Sequence, residues 1–76
     1  MIKEHDRVVL LKDLPKERLQ KDDVGTVIHV HHQGEAFEVE FLTLNGETAA
    51  VAIISSSDVR SVGPRDIIHV RQLAAT

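Results

Sequence analysis

The chain has no cysteine, no tryptophan and no tyrosine, and Phe37 and Phe41 are its only phenyl rings. Without cysteine, neither a disulfide framework nor a thiolate metal cluster can reinforce the fold. The shortage of aromatics excludes an ordinary proline-binding SH3 groove, which is built from aromatic side chains. It also argues against a single-strand nucleic-acid surface, where bases stack on exposed rings. The apolar runs fall far short of the roughly 20 residues that a membrane helix needs. A basic excess is missing too: nine Lys plus Arg stand against twelve Asp plus Glu, a net charge of −3. Nucleic-acid modules draw most of their affinity from phosphate contacts. Here each basic residue has an acid close by, as in Lys3/Glu4, Arg7/Asp6, Lys12/Asp13 and Lys21/Asp22, which describes a solvated surface. The four glycines are isolated, so no Gly-rich phosphate loop exists. The opening Met1–Asp6 is mixed in charge and lacks the apolar stretch of a signal peptide, so a cytoplasmic protein is expected.

What remains is a short chain rich in β-branched residues. At 76 residues there is room for one modest core, and chains of this size bury only about 60% of their unfolded surface. Self-association is a reasonable expectation on that ground. Asp6–Leu11 reads as a first strand, followed by a long polar loop over Lys12–Asp23 anchored by Leu14 and Leu19, with one helical turn near Pro15. Val24–His32, Ala36–Thr43, Glu47–Ile54 and Val59–Val62 read as four more strands. They are separated by Gln33-Gly34, by the hairpin signal Asn45-Gly46, and by the turn Ser55–Asp58. The pattern predicts an all-β fold, a small five-stranded SH3-like barrel over residues 1–62. Residues 63–76 form a C-terminal extension in which Ile67, Val70, Leu73 and Ala74 suit a short helix, while Ile68 and Val70 suit a strand.

Two-residue loops at both hairpins set a register. Ile28 faces Val39, Val30 faces Phe37, Thr26 faces Phe41, and across the next hairpin Phe41 faces Ala50, Val39 faces Ala52 and Phe37 faces Ile54. These place large residues against small on one inner face. The outer face then carries Val27, Leu42, Val51 and Ile53 beside Glu38, Glu40 and His29. Adjoining aliphatics on a solvent face mark a candidate interaction surface, unless the C-terminal extension folds back over them.

The segments Ile2–Leu10, Asp23–Val27, Gly34–Phe41 and Gly46–Val51 resemble a family of bacterial proteins of about this length, the domain of unknown function DUF4926. The resemblance covers roughly residues 2–62 and implies an SH3-like barrel, with more distant similarity to the KOW motif and to the nitrile hydratase β-subunit barrel. It supplies no catalytic residues. It implies neighbouring small genes, some toxin-like, and with them an accessory or antitoxin-like role.

The candidate chemistry is thin. His29 and His31 lie two apart on one strand, and Glu38 opposite His29 could complete a set of three metal ligands; an exposed cross-strand polar pair explains the same residues more simply. Glu38 and Glu40 share a face, but general acid/base work needs carboxylates in a cleft that shifts their pKa. Ser55–Asp58 lacks the strand–turn–helix setting of a nucleophile elbow. The expectation is therefore a non-enzymatic module acting through protein contacts, either as a homo-oligomer or with a partner. No cofactor, metal, membrane or small-molecule substrate is called for, and a KOW-like nucleic-acid or ribosome-associated role is the alternative.

Overall fold

Branched side chains fit a pleated, half-buried surface, and in the computed structural model, which describes residues 1–73, the valine- and isoleucine-rich runs are strands. There are five: β1 (Arg7–Leu10), β2 (Val24–His31), β3 (Ala36–Leu42), β4 (Thr48–Ser55) and β5 (Val59–Ser61). All pair antiparallel in the order β4-β3-β2-β1-β5. Among the described residues the only helical pieces are three-residue 3-10 turns at Pro15–Glu17, His32–Gly34 and Ser56–Asp58. The all-β, five-stranded expectation is the fold found. The sheet is not closed, because β4 and β5 are its two edges and do not pair.

One core joins all five strands. Val8 and Leu10 from β1, Val27 from β2, Phe37, Val39 and Phe41 from β3, Ala52 and Ile54 from β4, and Val59 from β5 are buried together. Leu19 reaches the same core from the long first loop, which closes on itself through the Leu14–Leu19 bridge. Loop and core are therefore tied by the two leucines that stand out in an otherwise polar stretch.

The β2–β3 register departs from simple alternation at one place. His29 opposes Glu38 and Val30 opposes Phe37, as expected, but a bulge between Val27 and His29 adds Ile28 to β2. An extra residue reverses the facing of everything beyond it. Val27 thus opposes Val39 and is fully buried, and Thr26 opposes Glu40. Val27 belongs to the core and not to the outer surface, whereas Ile28 is exposed. The physical signal is the adjacent pair Val27-Ile28: an inner row of Gly25, Val27 and Val30 has a step of three where a regular strand has a step of two.

The β3–β4 hairpin reaches its expected register by a different route. Gly46 N–H donates to Thr43 O and Thr43 N–H to Glu47 O, so the loop holds three residues. Gly46 alone takes a positive φ there (87°), and Asn45 does not. This is a type I turn followed by a left-handed glycine. A bulge between Phe41 and Leu42 absorbs the extra residue, and Phe41/Ala50, Val39/Ala52 and Phe37/Ile54 pair as the core requires.

The C-terminal extension is neither helix nor strand over the described residues 63–73, and Ala74 lies outside them. Two ion pairs hold it instead. Arg60 makes a bidentate contact with Asp66, and Arg71 makes another with Asp23 while donating to Arg18 O. Between the two anchors Ile67, Ile68 and Val70 are largely exposed. Their helical spacing finds no apolar surface to pack on, and in a segment this short packing, not propensity, decides whether a helix forms.

Gly25 sets how closely β2 lies on β3. A Cβ built there would fall 2.5 Å from Val39 Cγ1 and 2.9 Å from Phe41 Cε2. Neither side chain can withdraw, since both are buried in the core. Gly25→Ala is expected to destabilise the fold by about 2 kcal/mol or more, as overpacking a filled core does. Urea unfolding of the two proteins checks this; unchanged midpoints would show that β2 can move away freely.

Candidate interaction surface

The outer face of the sheet is ordered by strand. On β4, Val51 and Ile53 point outward and are exposed, Ile53 at 68%. Directly opposite on β3 stand Glu40 and Glu38, each paired in register with one of these aliphatics, and Leu42 continues the apolar row at the end of β3. On β2 come His29 and His31. The face thus passes from apolar at the β4 edge to acidic and then to imidazole toward the sheet centre.

The polar groups of this face are engaged with one another. Glu38 opposes His29 through the backbone, but its side chain accepts a hydrogen bond from His31 Nε2 at 3.2 Å. That is a diagonal contact, within reach of long side chains on neighbouring strands. His29 instead lies 3.6 Å from Glu4 Oε2, and its ring sits edge-on to His31 with centroids 4.5 Å apart. Thr48 Oγ1 donates to Glu40 Oε2 at 2.8 Å. The expected His29–Glu38 pair is therefore replaced by His31–Glu38. Among the described residues no group of three His, Asp or Glu side chains is disposed to hold a metal ion.

Of the seven residues assigned to this surface from the sequence, the structure brings six together: Leu42, Val51, Ile53, Glu38, Glu40 and His29. Val27 is removed by the β2 bulge. Over its described residues, 63–73, the extension does not cover the patch. Its anchors, Asp23 and Arg60, lie in the loop entering β2 and on β5, while Val51 and Ile53 remain exposed on the opposite edge strand. No helix among the described residues is long and apolar enough to cross a membrane. A shallow, open depression lined by Asp6, Arg7, Ser61 and Val62 lies near β1 and β5, away from this face.

A family model described as "Domain of unknown function (DUF4926)" matches residues 4–61. The chain belongs to this family. No curated protein and no solved structure matches it. The DUF4926 match takes in all five strands and the whole outer face, and it ends where β5 ends. The anchoring residues Asp66 and Arg71 fall beyond it. The Arg71 anchor leaves no local signal in the sequence, because its partner Asp23 is 48 positions away; Asp66 pairs with Arg60 only six positions away, across Gly63-Pro64.

The anchors are electrostatically tuned. The Arg60 guanidinium, with the Gly63 N–H, holds the Asp66 carboxyl down at about 2. Partial burial pushes Asp23 up, but the bonds from Arg71 and the Gln20 N–H outweigh it and hold the group below its ordinary value. A depressed carboxyl contributes stability above its unfolded pKa, and that contribution is lost as pH falls through the folded one. The extension is therefore expected to stay anchored down to about pH 4 and to detach as pH falls towards 2. A carbon-13 titration of the side-chain carboxyls checks this: Asp66 should titrate near 2, and an ordinary aspartate midpoint near 3.9 would show that the Arg60 contact is not formed in solution.

Proposed function

We propose that this DUF4926 chain is a non-enzymatic, cytoplasmic binding module that acts through protein contacts on the β3–β4 outer face, either as a homo-oligomer or as an accessory, antitoxin-like partner of a neighbouring gene product. The observation that carries this reading is the exposure of Leu42, Val51 and Ile53 side by side on a face that the described part of the chain's own extension leaves open. Isolated surface aliphatics need no explanation, whereas adjoining ones rimmed by charged groups mark interaction sites. Glu38 and Glu40 supply that rim, and they favour a partner that is neutral or basic at its edge.

The burial of Phe37 and Phe41 weighs against a KOW-like nucleic-acid role, because neither ring is available for stacking. The acidic charge of −3 weighs against it as well.

An affinity pull-down from native lysate, with and without nuclease, tests the reading with Ile53→Glu as control. Ile53 is exposed, so the variant should keep its fold, the new carboxylate opposite Glu38 costing about 0.5 kcal/mol. The expected result is a protein retained by the wild type and lost with Ile53→Glu, with nuclease making no difference. Capture only of ribosomal or nucleic-acid-linked species, and only without nuclease, would replace this reading with the KOW-like one.

A further inference from the structure

The two edges of this sheet are treated differently. β5 has only three residues, carries Arg60, and is followed by Gly63-Pro64 and the anchored extension. Short length, charge and proline are among the usual devices that stop an edge strand from pairing with another chain. β4 has none of them. It runs eight residues as Thr-Ala-Ala-Val-Ala-Ile-Ile-Ser, with no charge and no proline, and no other strand pairs with its outer side.

The hydrogen-bond pattern shows which backbone groups that edge presents. Ser56 N–H donates to Glu35 O, one step beyond the Ala36/Ser55 pair. In an antiparallel ladder hydrogen-bonded and non-hydrogen-bonded pairs alternate. The bonded pairs are therefore Phe37/Ile54 and Val39/Ala52, whose side chains face the core. It follows that Val51 and Ile53 aim their N–H and C=O groups away from β3, towards the open edge. Val51 and Ile53, two of the three aliphatics of the patch, are thus also the β4 residues whose backbone groups β3 does not use.

We propose that β4 is a self-association edge: two copies join β4 to β4, antiparallel, about a two-fold axis at Ala52, continuing each five-stranded sheet into the other. This rests on the reading of the β3–β4 face as the binding surface and names its partner as a second copy. The chemistry of the strand selects that partner. In an antiparallel pair, residues directly opposite share a face, so an axis at Ala52 sets Val51 of each copy against Ile53 of the other. Both then form bonded pairs with their free N–H and C=O groups, and the four aliphatics cluster on the outer face. In the inner row the same register sets Ala50 against Ile54, small against large.

Charge does not oppose the arrangement. β4 is neutral; Glu38 and Glu40 stand one strand further in, and of the carboxylates just beyond its two ends Glu47 falls opposite Ser57 in this register and Asp58 is paired with Lys12 at 3.3 Å. In the joined sheet the two β3 strands are three spacings apart, about 14 Å, well beyond the Debye length of about 8 Å at physiological salt. An isologous contact of this kind closes on itself and does not propagate into a fibre.

Amide hydrogen exchange on the nitrogen-15-labelled 76-residue chain tests the proposal, read alongside sedimentation equilibrium from micromolar to millimolar concentration. The Val51 and Ile53 amides, open to solvent in a single copy, are expected to slow as concentration rises, in step with a doubling of mass from 8.5 kDa. Ile53→Pro removes an N–H that bonds nothing within the chain, and proline is tolerated at such an edge position. That variant should stay at single-chain mass while keeping the wild-type β-sheet circular dichroism. A wild-type mass that doubles while both amides stay fast would overturn edge pairing, as would a chain still monomeric at millimolar concentration. In either case, a lysate partner lost with Ile53→Glu would leave the β3–β4 surface standing. Indifference of both self-association and partner capture to Ile53→Glu would remove that surface and the edge proposal together.

Discussion

The close approach of β2 to β3 at Gly25 is the constraint on which the rest of this small fold depends. β2 is the strand that both β1 and β3 use: Gly25 opposes Val8 on one side and lies against Val39, Phe41 and the Glu40 carbonyl on the other. A side chain there would push the two halves of the sheet apart. With hydrogen in its place, Val39 and Phe41 fill the space above the strand and the core closes without an aromatic cluster, a disulfide or a metal. The bulge at Ile28 follows from the same demand. It lets β2 keep Val30 over Phe37 at one end and put Gly25 and Val27 inward at the other.

A core built this way fills one face of the sheet and leaves the β3–β4 part of the other to solvent, while Val9 is buried on that other face at β1. Ile54 and Ile53 are neighbours in sequence, yet one is buried and the other is among the more exposed residues of the strands. That contrast is the structural basis of the functional reading. Over its described residues the extension is held to β5 by Arg60–Asp66 and to the entry of β2 by Arg71–Asp23, and Val51 and Ile53 stay exposed. Ion pairs at a surface contribute little stability, but here two bidentate contacts fix where the described part of the extension runs. The DUF4926 match covers the sheet together with Asp23 and Arg60, and not their partners Asp66 and Arg71.

Much of this was legible in the residues because side-chain alternation is a strong constraint wherever one face is buried. Val39/Ala52 and Phe37/Ile54 could be paired from pattern alone, since any slip would have turned Phe37 outward. Six of the seven surface residues follow from the same alternation. Val27 did not, because a bulge breaks the period of two, and the only trace it leaves is two adjacent aliphatics. The Asn45-Gly46 turn was placed correctly but with the wrong loop length; the Phe41/Leu42 bulge cancelled the difference, so the core pairs survived. The extension departs from the expected helix or strand for another reason. Helical spacing says which residues could share a face, and it carries no information about whether a surface exists to receive them.

The claim at the centre of this account is that β4 divides the work of fold and contact between adjacent isoleucines. Urea unfolding of Ile53→Ala and Ile54→Ala, at a concentration where the chain is monomeric, tests it most directly. Ile54→Ala should lose about 2–4 kcal/mol, as truncation in a filled core does, and Ile53→Ala no more than about 0.5 kcal/mol, as at an exposed site. Equal losses from the two would place Ile53 in the core and contradict the register from which the interaction surface was built.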